Sequence, residues 1–243
     1  MADINFILQG KGGIGKSFIS TLLAQYYQER GDALLCVDTD PVNSSFASFK
    51  AFDATALQIV EDNVVDPRRF DQLAEMLFAL PNDSKAQAVI DNGASTFVPI
   101  CAYVLENKLF SLLQAAGHNV HIHVPIAGGP SLDDTLSGLN SLMLHFTTVP
   151  LIVWLNPFLG SITAEGKTFY EFGIYTRNLD RFAAIIPMPK HSRNTFGKDI
   201  EEMMKARMTF AEALSGDAFG VMVRQRLKIY WQDIKEVMAA AEL

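Results

Sequence analysis

The sequence predicts an α/β fold, a doubly wound and mainly parallel sheet with helices on both faces. Short runs of apolar residues alternate along the chain with longer segments in which apolar residues recur at helical spacing. The short runs are apolar at nearly every position, as in strands that a parallel sheet buries on both faces. A glycine-rich loop joins the first apolar run to the first helical segment. This order of strand, loop and helix is how a parallel sheet with crossover helices begins.

Length and composition indicate one globular domain spanning residues 1–243. Of the 243 residues, 49% are hydrophobic and 19% are charged, which favours a large core and argues against disorder. The net charge of −7 argues against a broad surface that coats nucleic acid but permits a local basic patch. Two cysteines, Cys36 and Cys101, lie far apart and are expected to be reduced and packed. No charged leader or long apolar run is evident, which favours a cytoplasmic protein.

Turn and capping residues limit the predicted elements. Gly31 is a stop for a helix over residues 16–30, and Asp66 with Pro67 supplies the N-cap and first position of a helix to residue 80. A turn over residues 81–83 ends that helix. The predicted strands cover residues 4–8, 33–37, 56–60, 86–90, 119–127, 149–155 and 182–186. The remaining helices cover residues 98–116, 132–146 and about 218–242.

The loop after the first strand fits the pattern G-x-x-x-x-G-K-[S/T] at every fixed position. Its glycines let successive backbone N–H groups turn inward, and the start of the helix adds partial positive charge, so the loop is suited to a polyphosphate. We expect Lys16 to bind the β- and γ-phosphates of ATP and the Ser17 hydroxyl to bind Mg²⁺. The alternative is an ordinary glycine-rich turn. The predicted nucleotide-binding residues here are Gly10, Gly12, Gly13, Ile14, Gly15, Lys16, Ser17 and Phe18.

Two later strands end in carboxylates. Asp38 and Asp40 follow the second predicted strand, and Asp91 follows the strand over residues 86–90. Open α/β sheets bind ligands at the carboxyl ends of their strands, so we expect these side chains beside the phosphate loop. Asp91 is the candidate carboxylate behind the Mg²⁺ waters, and Gly93 the flexible turn whose amide senses the γ-phosphate. Ordinary acidic turns are the alternative.

A second lysine, Lys11, follows the first glycine of the loop, where most phosphate-binding loops carry no charge. In this form, a deviant Walker A motif, the loop resembles that of the MinD/ParA family of P-loop ATPases. The resemblance implies a Mg²⁺-dependent ATPase that forms a homodimer with ATP at the interface, with Lys11 reaching the partner's nucleotide. A solvated surface lysine is the alternative.

The same resemblance implies further roles. Asp38 would lie near the Mg²⁺ waters, and Asp40 would orient the attacking water, which makes Lys11, Lys16 and Asp40 the candidate catalytic residues. Asn156 would contact the adenine, and the segment near Pro187 and Met188 would close over the base. Turn chemistry alone also explains the residues at positions 156 and 187.

Three motifs, over residues 8–18, 36–43 and 91–95, also resemble conjugal transfer proteins of mobile bacterial elements. This resemblance implies a role in conjugative DNA transfer, with a partner from the conjugation or secretion machinery. The chain departs from the broader family at two places. Phe18 replaces the usual second hydroxyl residue, and Asn92 with Gly93 replaces a proline-containing turn.

Two other classes of function stay open at this point. A nucleotide-dependent positioning or partition module would bind DNA or a membrane surface, and a small-molecule kinase or ligase would use the same phosphate loop. A membrane-binding module would be peripheral at the inner face of the membrane, held by the apolar stripe of the C-terminal helix. The alternative for that stripe is packing on the sheet.

Two clusters of side chains also allow more than one interpretation. The basic residues Lys190, His191, Arg193 and Lys198 are either a solvated face or a contact for phosphate or a partner. His118, His121 and His123 lie close in sequence, but no carboxylate or cysteine joins them, so a metal site is disfavoured.

Overall fold

The computed structural model describes residues 1–61, 64–81 and 85–243. In chain order its strands are β1 (Asp3–Ile7), β2 (Ala33–Asp38), β3 (Thr55–Ala56), β4 (Val60–Glu61), β5 (Val64–Val65), β6 (Ala86–Asp91), β7 (Asn119–Ala127), β8 (Leu151–Asn156), β9 (Thr163–Ala164), β10 (Lys167–Thr168) and β11 (Phe182–Pro187). Seven strands form one sheet in the order β11-β8-β7-β1-β6-β2-β3, and all neighbours in it are parallel. Short antiparallel hairpins pair β4 with β5 and β9 with β10. The predicted α/β fold class is confirmed.

Helices connect the strands. They are α1 (Lys16–Arg30), α2 (Phe70–Phe78), α3 (Phe97–Glu106), α4 (Leu109–Ala115), α5 (Leu132–His145), α6 (Gly173–Thr176), α7 (Lys198–Lys205), α8 (Phe210–Ser215) and α9 (Val221–Ala240). Short 3₁₀ helices cover Lys50–Phe52, Pro67–Arg69, Gly129–Ser131, Pro157–Leu159, Phe169–Glu171 and Leu179–Arg181, and a π-helix covers Arg193–Gly197.

Two apolar layers hold the helices to opposite faces of the sheet. One layer joins α2, α3, α4 and α5 to residues such as Phe6, and the other joins α1, α7, α8 and α9 to residues such as Ile7. Consecutive strand residues point to opposite faces, which is why strands apolar at every position supply both layers. Each fully buried aliphatic or aromatic side chain contributes about 1.5–3 kcal/mol, so both layers stabilise the sheet strongly.

Local backbone chemistry explains where the predicted elements differ from the structure. The helix predicted over residues 98–116 is two helices, because Lys108 adopts a left-handed conformation (φ 52°) that interrupts it. The helix predicted from Pro67 starts as a 3₁₀ turn, capped by Asp66, whose side chain accepts from the Arg68 N–H. The strand predicted over residues 56–60 was too long: only Thr55–Ala56 pairs in the sheet. Part of the predicted turn, residues 82–83, lies outside the described residues.

The C-terminal helix α9 packs on the sheet through its apolar stripe. Leu227, Tyr230, Trp231, Ile234 and Met238 are all buried in the layer that also contains α1. This burial favours the alternative in which the stripe packs on the sheet, because the stripe is covered by the chain's own residues. Within the described ranges, every helix is too short or too polar to cross a bilayer.

Candidate functional site: a phosphate loop beside two buried carboxylates

Parallel pairing brings the ends of three strands together. In the register of the sheet, Ile7 of β1 and Asp38 of β2 both pair with Asp91 of β6. Because β1 runs directly into the glycine-rich loop, that loop begins next to both carboxylates. The strand order also changes direction at β1, and open α/β sheets bind ligands at such a point.

The loop itself has the backbone of an anion site. Gly13 and Gly15 have φ angles of 71° and 97°, which strongly favour glycine. Ile14, between them, is buried and anchors the loop to the protein. Helix α1 begins at Lys16, so the free N–H groups of its first turn face the same space.

Lys16 is held in place by the loop. Its Nζ donates to the Lys11 carbonyl oxygen at 2.8 Å, and the residue is only 8% exposed. Burial lowers the pKa of Lys16, while the nearby carboxylates of Asp91 and Asp40 raise it. The ammonium group is therefore positioned before any ligand arrives, with negative groups around it.

Asp91 lies against the first turn of α1. Its Oδ1 accepts from Ser20 Oγ at 2.9 Å. Burial, and then the charge of Asp38, raise the pKa of Asp91 to about 6, while hydrogen bonds from Ser17 and Ser20 and the charge of Lys16 lower it. The carboxylates of Asp38 and Asp91 and the hydroxyl of Ser17 offer only oxygen donors and carry excess negative charge. Such a set fits a hard cation such as Mg²⁺.

Asp38 and Asp40 also organise the segment after β2. Asp38 accepts from the backbone N–H groups of Asp40, Phe46 and Ala47, each at 2.9 Å, and burial raises its pKa. Asp40 Oδ1 accepts from the N–H groups of Val42 and Asn43.

Asp40 also contacts the turn after β6. A Cβ added at Gly93 would lie 2.5 Å from Asp40 Cγ, so the two segments touch closely. The candidate water-orienting residue and the candidate γ-phosphate sensor are therefore in direct contact.

Lys11 has a partner within its own chain. Its Nζ is 2.7 Å from Asp134 Oδ2 in the first turn of α5, and the two side chains are 40% and 58% exposed. The sequence reading offered either an inter-subunit contact or a solvated lysine, and it did not anticipate this ion pair.

A cavity of about 590 Å³ adjoins the loop at Gly13, Ile14 and Gly15. Asn156 lies on its wall, where Nδ2 donates to the Ile14 carbonyl oxygen at 3.0 Å and Oδ1 accepts from the Phe158 N–H. The apolar lining of the cavity includes Phe18, Phe158, Met188, Phe196 and Tyr230. An apolar cavity with a few polar groups, directly beside a phosphate site, suits a nucleobase.

Pro187 does not line this cavity. It is exposed and borders a different cavity between β11 and α9, whereas Met188 lines the cavity beside the loop. Successive residues of an extended strand face opposite ways, so moving one residue along the chain changes the face. Of the two residues predicted to close over the base, Met188 therefore lines the cavity beside the loop, whereas Pro187 does not.

The predicted basic stretch reaches the same cavity in part. Lys190, His191 and Arg193 line it, and Lys198 does not. The His191 ring stacks on Phe196 at a centroid distance of 4.2 Å and its Nε2 is 2.8 Å from Asp233 Oδ2. The Arg193 guanidinium lies 4.9 Å from the Phe158 ring centroid.

The three histidines do not come together as a metal site. His123 is fully buried; its Nδ1 accepts from Trp154 Nε1 at 2.9 Å, and its Nε2 lies 3.0 Å from Asn5 Oδ1. Within the described ranges, no three side chains of histidine, cysteine, aspartate or glutamate are grouped so as to hold a metal ion.

Comparison with known proteins decides the family. A family model described as the CobQ/CobB/MinD/ParA nucleotide binding domain matches residues 6–232. The chain belongs to this family. The resemblance predicted from the loop, with Lys11 after its first glycine, is thereby confirmed, and the protein contains a nucleotide-binding domain.

Individual relatives agree with this assignment. The chain is 42% identical over 242 residues to an Escherichia coli protein named Protein TraL, covering 99% of each. A second E. coli protein of that name is 44% identical over 230 residues, covering 94% of each. Among solved structures, the MinD cell division protein of Aquifex aeolicus superposes with a TM-score of 0.50 over 96% of this chain and 97% of that one. At 13% identity, that similarity shows a shared fold.

Sequence reasoning missed several residues of this nucleotide-binding site. Ser20 bonds to Asp91, Asp134 holds Lys11, and the Gln9 carboxamide accepts from the Gly10 N–H. Ser20 lies one helical turn after Lys16, a spacing from which its position at the site can be inferred. Nothing near residue 134 indicates a contact with residue 11.

Proposed function

We propose that this chain is a Mg²⁺-dependent ATPase in which two copies bind ATP between them and hydrolyse it slowly as a switch. The observation that carries the proposal is the convergence of the phosphate loop, Lys16 and the buried Asp91 on one space. We further propose that the switch acts in conjugative DNA transfer with a protein of the conjugation or secretion machinery. The motif resemblance and the similarity to the TraL proteins support this.

The chain's own residues would bind the triphosphate by charge and backbone hydrogen bonds. The N–H groups of the loop and of the first turn of α1 donate to phosphate oxygens, and Lys16 exchanges the Lys11 carbonyl for the β- and γ-phosphates. Asn156 and the apolar wall containing Met188 hold the adenine.

Mg²⁺, when bound, neutralises charge that develops on the transferred phosphoryl group. Ser17, Asp38 and Asp91 would hold the ion directly or through waters, which their oxygen chemistry suits. Asp40 orients the attacking water. Because the Asp40 side chain packs closely against Gly93 in this structure, Asp40 must first separate from Gly93. Transfer of a phosphoryl group through a loose transition state needs positioning and positive charge more than covalent help.

Lys11 supplies positive charge from the opposite subunit. In the chain described here its ammonium group is paired with Asp134, so it must leave that carboxylate before it reaches a partner's nucleotide. An exposed ion pair of this kind is worth about 0–1 kcal/mol, which is weak enough to be exchanged for a triphosphate.

The deciding experiment is light-scattering mass with ADP and with a non-hydrolysable ATP analogue, each with Mg²⁺. We expect a monomer with ADP and a dimer with the analogue. Lys11→Ala should bind nucleotide and stay monomeric, and Lys167→Ala, which changes an exposed lysine on the β9–β10 hairpin, should behave as wild type. Dimerisation of Lys11→Ala as efficient as that of wild type would reject the role of Lys11 between subunits.

A nucleotide-dependent DNA-binding module is the second candidate function, and one observation favours it. Lys190, Arg193, Lys205 and Arg207 line the mouth of the cavity, and none of them forms an ion pair in the ranges that the structure describes. Unpaired cations on an acidic protein suit a phosphate backbone.

A salt titration of DNA binding tests this second candidate. ATP-dependent retardation of DNA that weakens steeply with salt, and is lost in Lys205→Glu/Arg207→Glu, would support it. Retardation that is absent at low salt would exclude it. An acceptor-dependent transfer rate well above hydrolysis would instead indicate the kinase or ligase class.

A further inference from the structure

Gln9, the residue before the phosphate loop, is almost completely buried and uses its whole carboxamide. It is 1% exposed. Its Oε1 accepts from the Gly10 N–H at 3.0 Å, and its Nε2 donates to the carbonyl oxygens of Thr135 at 3.0 Å and Pro125 at 3.4 Å. One side chain therefore joins the first peptide of the loop to α5 and β7.

The backbone of α5 packs directly against the Gln9 side chain at Gly138. A Cβ added at Gly138 would overlap the Gln9 carboxamide, so the helix carries glycine where Gln9 lies. One turn earlier, the Thr135 hydroxyl lies within hydrogen-bond distance of the Ser131 and Leu132 carbonyl oxygens at the start of α5 and of the Ala127 backbone at the end of β7. The start of α5 is thus tied to the end of β7 beside Gln9.

The next two loop residues are also set by neighbours. A Cβ added at Gly10 would lie 3.0 Å from the Phe97 ring, so this peptide has little freedom. Lys11 follows, and its ammonium group binds Asp134 on α5. Helix α5 therefore holds the start of the loop twice, through Gln9 and through Lys11.

We propose that Gln9 is a positioning residue for Lys11: its carboxamide sets the start of the phosphate loop relative to α5, and so sets where the Lys11 side chain begins. The proposal rests on the proposed function only for the role of Lys11 at a partner's nucleotide. Without this tether, the loop shifts against α5, the contact with Asp134 weakens, and Lys11 approaches a partner's nucleotide from a less favourable position.

A purely structural role for Gln9 makes a different prediction. It would lower the stability of every Gln9 variant, and restoring the stability would restore all other properties. The positioning role predicts that Lys11 stays displaced after stability is recovered.

The first measurement is the acylation rate of Lys11 in the apo protein under limiting acetylating reagent, followed by peptide mass spectrometry. Lys167 is the internal standard, and Asp134→Asn gives the rate for a fully released Lys11. Gln9→Met keeps the length of the side chain and removes its hydrogen bonds. The exposed ion pair that slows Lys11 is worth about 0–1 kcal/mol, or at most about fivefold in rate. We therefore expect Lys11 to react about two- to fivefold faster in Gln9→Met, and no faster than in Asp134→Asn.

The second measurement uses the glycine that accommodates Gln9. Gly138→Ala in the wild-type background should lower the melting temperature, because the methyl group displaces the Gln9 carboxamide. In a Gln9→Ala background the same change should raise it, since the methyl group fills vacated space and alanine favours the helix. The double variant should nevertheless keep the fast Lys11 acylation and a weakened ATP-dependent dimer.

These outcomes separate the positioning role of Gln9 from the proposed ATPase function. If the double variant regains both wild-type stability and wild-type Lys11 reactivity, or if Gln9→Met leaves the Lys11 rate unchanged, the positioning role is overturned. If wild type fails to dimerise with the ATP analogue, the proposed function fails, and the acylation rates still decide the role of Gln9. If Gln9→Met does not fold, the sign reversal at Gly138 and the acylation rates of Gly138→Ala and of the double variant carry the test.

Discussion

The two lysines of the phosphate loop, five residues apart, are held in contrasting ways. Lys16 is nearly buried, and its ammonium group bonds to a carbonyl oxygen of the same loop. The Lys11 side chain is 40% exposed and is paired with a carboxylate 123 residues away in sequence. One end of the loop is positioned by its own backbone, and the other by a neighbouring helix.

Under the proposed function, this difference separates a lysine that binds phosphate from a lysine that changes partners. A lysine held by local backbone has one position, which suits a permanent ligand to phosphate. A lysine held by an exposed ion pair is released at small cost, which suits a group that must change partners. The following experiments test that division, from the largest expected effect to the smallest.

Lys16→Ala should weaken binding of Mg²⁺-ATP about 100-fold, because charge-assisted hydrogen bonds to phosphate are among the strongest in proteins. Lys11→Ala should change the affinity of the monomer less than about threefold. Titration calorimetry with a non-hydrolysable analogue measures both. Equal losses in the two variants would remove the distinction between the two lysines.

Asp40→Ala should lower ATP turnover about 100-fold while the ATP-bound dimer persists, because the attacking water loses its orienting group. Single-turnover phosphate release and light scattering measure the two effects. Asp133→Ala, an exposed change in the first turn of α5, is the control. Undiminished turnover in Asp40→Ala would assign the water to another residue.

Asp91 should make Mg²⁺ binding depend on pH. Burial beside Asp38 raises the pKa of Asp91 to about 6, and a cation needs the ionised form. Affinity for Mg²⁺ should therefore fall about tenfold for each pH unit below 6 in wild type. A wild-type affinity that is flat between pH 5 and 7 would show that Asp91 does not take part.

The same group should affect the stability of the apo protein in the opposite direction. Because folding raises the pKa of Asp91 from 3.8 to about 6, the folded chain holds a proton that the unfolded chain releases. The resulting stability is complete below pH 3.8 and is lost as the pH rises through 6, by an amount on the order of 3 kcal/mol. About half of this loss, on the order of 1.4 kcal/mol, falls between pH 5 and pH 7.5. Denaturant unfolding at these two pH values should show it in wild type and much less of it in Asp91→Asn.

Asp134→Ala should have the smallest effect. Removing the partner of Lys11 should promote ATP-dependent dimerisation by less than about fivefold, because exposed ion pairs contribute about 0–1 kcal/mol. The protein concentration at half-dimerisation, measured with the ATP analogue, reports the change. Weaker dimerisation would mean that Asp134 also contacts the partner subunit.

Much of the fold follows from local patterns in the sequence. The limits of α1 were predicted correctly, because a phosphate loop starts it and Gly31 (φ 75°) ends it. The break at Lys108 was not predicted, because a lysine in a left-handed conformation has no signal in its own sequence. The sequence placed Asn156, Pro187 and Met188 near the base, and in the structure Asn156 and Met188 line the cavity beside the loop while Pro187 does not.

By itself, the sequence determined the α/β class, the phosphate loop and the order in which carboxylates follow the strands. These depend on neighbouring residues: glycines that permit positive φ, apolar runs that a sheet buries, and strand ends that meet at one edge. Only the tertiary structure decided which distant groups meet that edge. The contacts of Lys11 with Asp134 and of Gln9 with Thr135 depend on where α5 packs, and packing is set by the whole core rather than by any short motif.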